Sequence, residues 1–186
     1  AHSVSFSPEG SRFVVVSGSR LERVHIPTPG MYSVSNALCA LACAAGLGMD
    51  FSDAARGLCE SRGVCGRMER IAADVPFTII RDFAHAPEEI ENVLRTVRAF
   101  APGRVVALFG CPGERDRTKR PEMARAAARH SDLVILTSDN PRSEPPAQII
   151  EDAMPGFEGS RTPVKVIEDR YDAIRFAIEQ GKENDT

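Results

Sequence analysis

The sequence predicts an α/β chain whose larger part is a Rossmann-like domain with a mainly parallel sheet. Three observations carry this. From about residue 77 onward, strand-like and helix-like stretches alternate as βαβαβαβα, an order that places helices on both sides of a parallel sheet. Residues 105–109 and 133–137 are short, continuous apolar runs, as buried strands require. Both runs end in polar loops: Gly110 through Pro121, crowded with charge, and Ser138-Asp139-Asn140-Pro141-Arg142. In a right-handed βαβ unit both loops leave the carboxyl edge of the sheet, where open α/β sheets bind ligands.

The chain begins differently. Residues 3–6, 13–16 and 21–26 read as strands of a meander, with turns at Pro8-Glu9-Gly10-Ser11 and Gly18-Ser19. Two or three such strands rarely fold alone, so the chain reads as beginning inside a domain. Pro27-Thr28-Pro29-Gly30 breaks the pattern. Val34, Leu38, Leu41, Ala42 and Ala45 then trace one face of a helix over 33–47, with Asn36 in its first turn and Gly46 and Gly48 at its end. Ser52 is expected to cap a second helix over 53–60, and the loop 62–66 delivers Arg67.

Residues 68–73 and 77–81 are short strands around the turn Asp74-Val75-Pro76. The second runs into Asp82-Phe83-Ala84-His85-Ala86-Pro87, and all three polar loops are expected to share the carboxyl edge. Pro87 suits the first position of a helix, and Ile90, Val93, Leu94 and Val97 continue it at helical spacing. The alanine-rich stretch 123–130 favours helix. A helix near 146–154, a strand over 164–167 and a helix over 169–179 follow, the last with Tyr171, Ile174 and Ile178 as its apolar face. The polar tail 181–186 is expected to fray; no final strand follows it, so the chain reads as stopping early.

Composition narrows the class without naming a function. The chain has 186 residues, 42% hydrophobic and 26% charged, as in ordinary globular proteins. A net charge of -3 offers no general attraction for nucleic acid or an anionic membrane. No apolar run approaches the ~20 residues of a membrane span, and no signal peptide is visible. The five cysteines, Cys39, Cys43, Cys59, Cys65 and Cys111, are odd in number and form no CxxC pair. They read as reduced thiols of a cytoplasmic protein.

The charged loops carry what chemistry is legible. Arg115, Asp116, Arg117, Lys119 and Arg120 read either as a solvated turn with internal ion pairs or as an anion clamp, because guanidinium groups grip carboxylate or phosphate through paired hydrogen bonds. Gly110 and Gly113 would let backbone N–H groups approach the same anion. Asp139, Asn140 and Arg142 read either as a simple turn or as the acceptor, amide and guanidinium that fit a zwitterionic amino acid. Asp82 and His85 are a polar strand end or part of the same edge. No phosphate-binding GxxxxGK[ST], no GxGxxG and no nucleophilic triad is present. The residues alone therefore lead to an α/β domain with an anion-binding edge.

At these loops the sequence resembles the carboxyl-terminal part of a Mur ligase, of the UDP-N-acetylmuramoyl-tripeptide synthetase branch. The resemblance rests on Asn36-Ala37-Leu38, Gly66-Arg67-Met68-Glu69, Asp82 through Pro87, Gly110 through Pro121, and Asp139-Asn140-Pro141-Arg142, in the order of that family. It implies an ATP- and Mg2+-dependent ligase that phosphorylates the terminal carboxylate of a UDP-linked muramoyl dipeptide and lets an incoming amine attack the acyl phosphate. By the family's map, residues 1–67 end a central ATPase domain and residues 68–186 form most of the carboxyl-terminal domain. Asn36 would lie near adenine, Arg67 at the ATP phosphates, and Asp82 at the ribose or phosphate end from across the domain cleft, with His85 in the same ATP-binding set. Arg115, Asp139, Asn140 and Arg142 would hold the amino acid, and this Asp-Asn-Pro-Arg goes with meso-diaminopimelate rather than L-lysine. A buried Arg142 would select the second carboxylate. The implied partners are small molecules, with no nucleic acid and no membrane, and the implied state is a monomer.

Departures from the pattern limit what carries over. Phe83 stands where the family has Tyr, Cys111-Pro112 replace a more glycine-rich start to the basic loop, and Glu114 replaces Asp. A Gly-Lys-Gly-His-Glu segment, the phosphate loop with its lysine, the magnesium-binding acids and the modified lysine of the central domain are absent. These 186 residues are therefore expected to be inactive alone. The competing readings are a sibling ligase that adds L-lysine or glutamate, a non-catalytic amino-acid or nucleotide binding module, and a metal hydrolase built on Asp82, His85 and Asp116.

Overall fold

The computed structural model describes residues 1–186. They fall into two units, one comprising 1–71 with 80–82 and the other 72–79 with 83–186.

The first unit starts with a meander. Strands β1 (His2–Ser7), β2 (Gly10–Ser17) and β3 (Arg20–Ile26) pair antiparallel in chain order. Alternation along β2 and β3 sends Phe13, Val15, Val24 and Ile26 to one face, where they are buried. Helices α1 (Met31–Gly46) and α2 (Phe51–Cys59) supply the rest of that core through Val34, Ala37, Leu41, Phe51 and Ala55. Ala42 and Ala45, expected on the apolar face of α1, are exposed; at 3.6 residues per turn the buried stripe runs through Val34, Ala37 and Leu41 instead. The cap of α2 is Asp50, not Ser52: its carboxylate accepts from the N–H groups of Ser52 and Asp53. Short strands β4 (Glu69–Ile71) and β5 (Ile79–Arg81) form a two-stranded sheet.

The second unit has the expected parallel sheet. Helix α3 (Pro87–Arg98) precedes β6 (Val106–Phe109); α4 (Lys119–His130) leads to β7 (Leu133–Leu136); α5 (Pro146–Ala153) and a 3-10 turn (Met154–Phe157) lead to β8 (Val164–Val166); α6 (Arg170–Gln180) follows. The strands pair in parallel in the order β6-β7-β8. Val134, Ile135 and Leu136 are fully buried in the middle strand, and α4 packs Met123, Ala124, Ala126, Ala127 and Ala128 inward. Small alanines let α4 lie close to α3 and α5.

Three expectations fail in instructive ways. Strand β5 does not join the parallel sheet, so of the three polar loops expected at its carboxyl edge only those after β6 and β7 leave it. The neighbouring place beside β6 is taken by the chain's last residues: Thr186 donates to the Arg104 carbonyl (2.9 Å) and accepts from Val106 N–H (2.8 Å), the bonding pattern of a parallel pair. The tail 184–186 is consequently ordered rather than frayed. On its other side Asn184 donates to the Pro76 carbonyl (3.1 Å) and Thr78 donates to the Asp185 carbonyl (2.9 Å). Asp185 is buried and ion-paired to Arg104. Burial opposes its ionisation, but Arg104 and the Lys182 N–H outweigh that and hold its carboxyl below the usual range. On α6, finally, Tyr171, Ile174 and Ile178 are exposed and Ala173 is the buried residue. The small Ala173 face fits against β6 and β7.

Candidate functional site

The second unit brings two of the charged loops together at the carboxyl edge of its sheet. After β6 the chain enters the loop 110–118; Lys119 and Arg120, expected in this loop, already belong to the first turn of α4. After β7 it enters 137–145. The glycines decide how closely the two approach. A Cβ on Gly110 would overlap the Thr137 carbonyl oxygen, and one on Gly113 would overlap the Pro141 carbonyl oxygen. The Gly113 N–H, expected to face an anion, donates instead to the Asn140 carbonyl (2.9 Å). These glycines serve the docking of one loop on the other.

Charge completes the junction. Glu144 lies with its side chain only 12% exposed and accepts from Arg117 (2.8 Å) and, through both oxygens, from Arg120 (2.9 and 3.0 Å). It also accepts the Glu114 N–H. The Arg120 side chain is 2% exposed and reaches Asp152 of α5 as well (2.7 Å). The Arg120 guanidinium and the Glu114 N–H together pull the Glu144 carboxyl down to about 2. In return, the Glu114 carboxylate accepts from the hydroxyl (2.6 Å) and N–H (3.3 Å) of Ser143, which holds it below the usual range.

What remains open to solvent are the residues singled out as ligands. Arg115, Asn140 and Arg142 are exposed and Asp139 is half-buried. The exposure of Arg142 corrects the expectation of a buried selector. Asp116 is engaged locally: Thr118 donates to it through hydroxyl (2.7 Å) and N–H (3.0 Å). Beside the junction lies a cavity of about 410 Å³ lined by His85, Cys111, Pro112, Arg115, Asp116, Lys119, Arg120 and Met123. That volume suits a small-molecule ligand, and its open cationic side chains, Arg115 and Lys119, suit an anionic one. His85 is oriented by the Phe83 carbonyl (3.1 Å), the Glu89 carboxylate (3.2 Å) and the edge of the Phe83 ring. Burial pushes the Cys111 thiol up to about 12, which keeps it a neutral, inert wall.

The first unit holds Asn36, Arg67 and Asp82. Asn36 is exposed on the first turns of α1. Arg67 is exposed between two anchored amides: Gly66 N–H donates to Glu69 (2.6 Å) and Met68 N–H donates to Asp82 (2.8 Å). Glu69 also pairs with Arg81 (2.7 Å), and the Gly66 N–H, then Arg81, lower its pKa. Asp82 thus has one carboxylate oxygen committed to positioning the Arg67 loop. No group of three or more His, Cys, Asp or Glu side chains converges to hold a metal ion. Sequence reasoning missed Glu69, Asp82 as a backbone anchor, Ser143, Glu144 and Asp152. Glu144 sits two residues from Arg142, its only local signal, while Glu69 closes the Gly66-Arg67-Met68-Glu69 motif, which gave it no role of its own.

Comparison with known proteins fits this geometry. A model of the family described as Mur ligase, glutamate ligase domain, matches residues 66–186. Across the whole chain there is 39% identity to a UDP-N-acetylmuramoyl-L-alanyl-D-glutamate–2,6-diaminopimelate ligase of Clostridioides difficile and 42% to one of Halalkalibacterium halodurans. In both cases this chain spans 38% of the relative's length. A solved structure of a ligase with the same description superposes over 98% of this chain and 37% of its own, with a TM-score of 0.66 and 38% identity. A UDP-N-acetylmuramate-alanine ligase of Thermotoga maritima, 24% identical, shares the fold with a TM-score of 0.74 over 99% of this chain and 40% of its own.

Proposed function

The chain belongs to the Mur ligase family, and we propose that it is the carboxyl-terminal part of a cytoplasmic enzyme that adds meso-diaminopimelate to UDP-N-acetylmuramoyl-L-alanyl-D-glutamate during peptidoglycan synthesis. Residues 1–67 are the end of its ATP-binding domain and residues 68–186 most of the domain that brings the amino acid. One observation carries the reading: the two docked loops present Arg115, Asn140 and Arg142, all exposed, at the carboxyl edge of a parallel sheet. Two guanidinium groups and an amide match a substrate that carries two carboxylates and two ammonium groups. Whole-chain identity to ligases named for diaminopimelate supports the choice of substrate.

In this reading the chain's residues bind and orient. Arg115 and Arg142 take the carboxylates, while Asn140 and Asp139 take an ammonium group. The free amine is thereby aimed at the activated carboxyl carbon, where orientation lowers the barrier by removing translational freedom in advance. Arg67, with its flanking amides held by Glu69 and Asp82, reaches the ATP phosphates, and Asn36 and His85 belong to the same nucleotide-binding set. ATP supplies the phosphoryl group. In this reading Mg2+ is held mainly by the rest of the complete protein, and the 186 residues alone are expected to show no ligation.

Because Arg142 is exposed, lysine would leave it solvated rather than stranded. Discrimination from that one contact is then roughly 10- to 100-fold, the worth of a hydrogen bond to a charged group, below the ~10⁴-fold of a site with buried unpaired groups. The test uses the complete protein that contains this chain. ADP release is followed with UDP-muramoyl dipeptide, ATP and magnesium, with meso-diaminopimelate or L-lysine as acceptor. Turnover with diaminopimelate alone supports the reading. Turnover with lysine alone retains a ligase but overturns the assignment of Arg142, and turnover with neither overturns both.

A further inference from the structure

We propose that Glu144 is a positioning residue for the amino-acid substrate: it locks the two carboxyl-edge loops into one register and so sets the spacing and direction of Arg115, Asn140 and Arg142. The inference rests on the ligase reading above and assigns a role to a residue that makes no substrate contact in it.

Four observations converge on Glu144. Its carboxylate gathers donors from three positions of the facing segment, the Glu114 N–H, Arg117 and Arg120. Those positions bracket Arg115 on both sides. The facing loop reciprocates: Ser143 donates to Glu114 through hydroxyl and N–H, and Gly113 N–H donates to the Asn140 carbonyl. Glu114 therefore both gives and receives across the junction, and neither loop can slide without breaking bonds of both kinds. Third, Glu114 and Arg142 each have φ near +54°, a left-handed conformation that non-glycine residues adopt only where their surroundings impose it. One of these residues adjoins Arg115 and the other is Arg142 itself. Their backbone geometry, which aims both guanidinium groups, is imposed by the junction. Fourth, the junction is tied to the frame: Arg120 is buried and also bonds Asp152 of α5 (2.7 Å).

Two arginines that grip two carboxylates of one rigid ligand need a fixed separation, and a displacement of about 1 Å can cost roughly 100-fold. Supporting residues that orient ligand-contacting groups produce effects of that kind without touching the ligand. The Glu114 side chain has a place in this account: it is the one that reaches Ser143 (2.6 Å).

The experiment uses the complete protein with Glu144→Gln, Glu144→Ala and Ser143→Ala. KM values for meso-diaminopimelate and for ATP, kcat, the preference over L-lysine and the thermal midpoint are read for each. Glu144→Ala is expected to raise KM for diaminopimelate up to about 100-fold, the scale of a 1 Å misplacement. Glu144→Gln, which keeps an acceptor for Arg120, raises it less, and Ser143→Ala, which strands no charge, least. KM for ATP stays within about twofold, on the same argument that only the misplaced contacts suffer, and the preference over lysine falls in the same order. An unchanged KM for diaminopimelate in Glu144→Gln and Ser143→Ala overturns the assignment, as does an equal rise in both KM values. If Glu144→Ala does not fold, the other two variants decide. Absence of turnover by the unsubstituted protein overturns the ligase reading, and the positioning role with it.

Discussion

Two loops that present arginines to solvent are held in opposite ways. Around Arg67 the carboxylates of Glu69 and Asp82 hold backbone amides, those of Gly66 and Met68. At the junction of the second unit, Glu144 holds mainly guanidinium groups, and through them a helix. The first arrangement is short in sequence, its partners three and fourteen positions apart. The second spans 24 to 32 residues. A local anchor fixes where one side chain starts; a long-range network fixes how two binding segments stand to each other. Under the proposed function, a grip on both ends of one amino acid would need the second kind.

Substitutions sharpen that contrast. The largest effect is expected from Arg120→Met, which leaves Glu144 and Asp152 facing each other without their buried cation. Removing one partner of such a network costs about 3 kcal/mol or more, read as a loss of unfolding free energy in urea. A change under about 1 kcal/mol would make the junction no stronger than a surface ion pair. Gly113→Ala comes next. Its Cβ would overlap the Pro141 carbonyl, so one loop must shift, at about 2 kcal/mol as for overpacking elsewhere, and amide exchange at residues 113 and 143 should accelerate.

Glu69→Gln should be milder, since a neutral acceptor remains for the Gly66 N–H and its other partner, Arg81, is exposed. It should weaken ATP binding by the complete protein while KM for diaminopimelate holds. If instead the amino-acid KM rises, the two loops are not the separate devices described. A last test concerns pH. Glu144 has its carboxyl pulled from 4.5 to about 2, so the native state binds fewer protons than the unfolded chain between those values. Its stabilising contribution is complete above about pH 5 and is lost as pH falls toward 2. The thermal midpoint should drop across that window, and drop less steeply in Glu144→Gln.

Much of the fold was legible because it depends on local pattern. Buried runs such as 133–136 and the helical spacing of Ile90, Leu94 and Val97 specify their elements whatever lies beyond them. Family motifs then brought Arg115, Asn140 and Arg142 to attention together. The failures share a cause. The tail 184–186 is polar and without periodicity, yet it is ordered because unpaired backbone groups on the edge of β6 and at 76–78 accept it. Tyr171, Ile174 and Ile178 have helical spacing, yet Ala173 faces the sheet, because a parallel sheet selects the face that packs closest.

By itself, then, the sequence determined the alternation of elements and the parallel sheet, since propensity and apolar pattern act over a few neighbouring residues. Only the tertiary structure decided that Gly110 and Gly113 dock one loop on another, that Arg142 is exposed, and that Glu144 ties Arg117, Arg120 and Glu114 into one junction. Those outcomes depend on distances between segments some 30 residues apart, and such distances exist only once the βαβ crossover has brought both loops to the same edge.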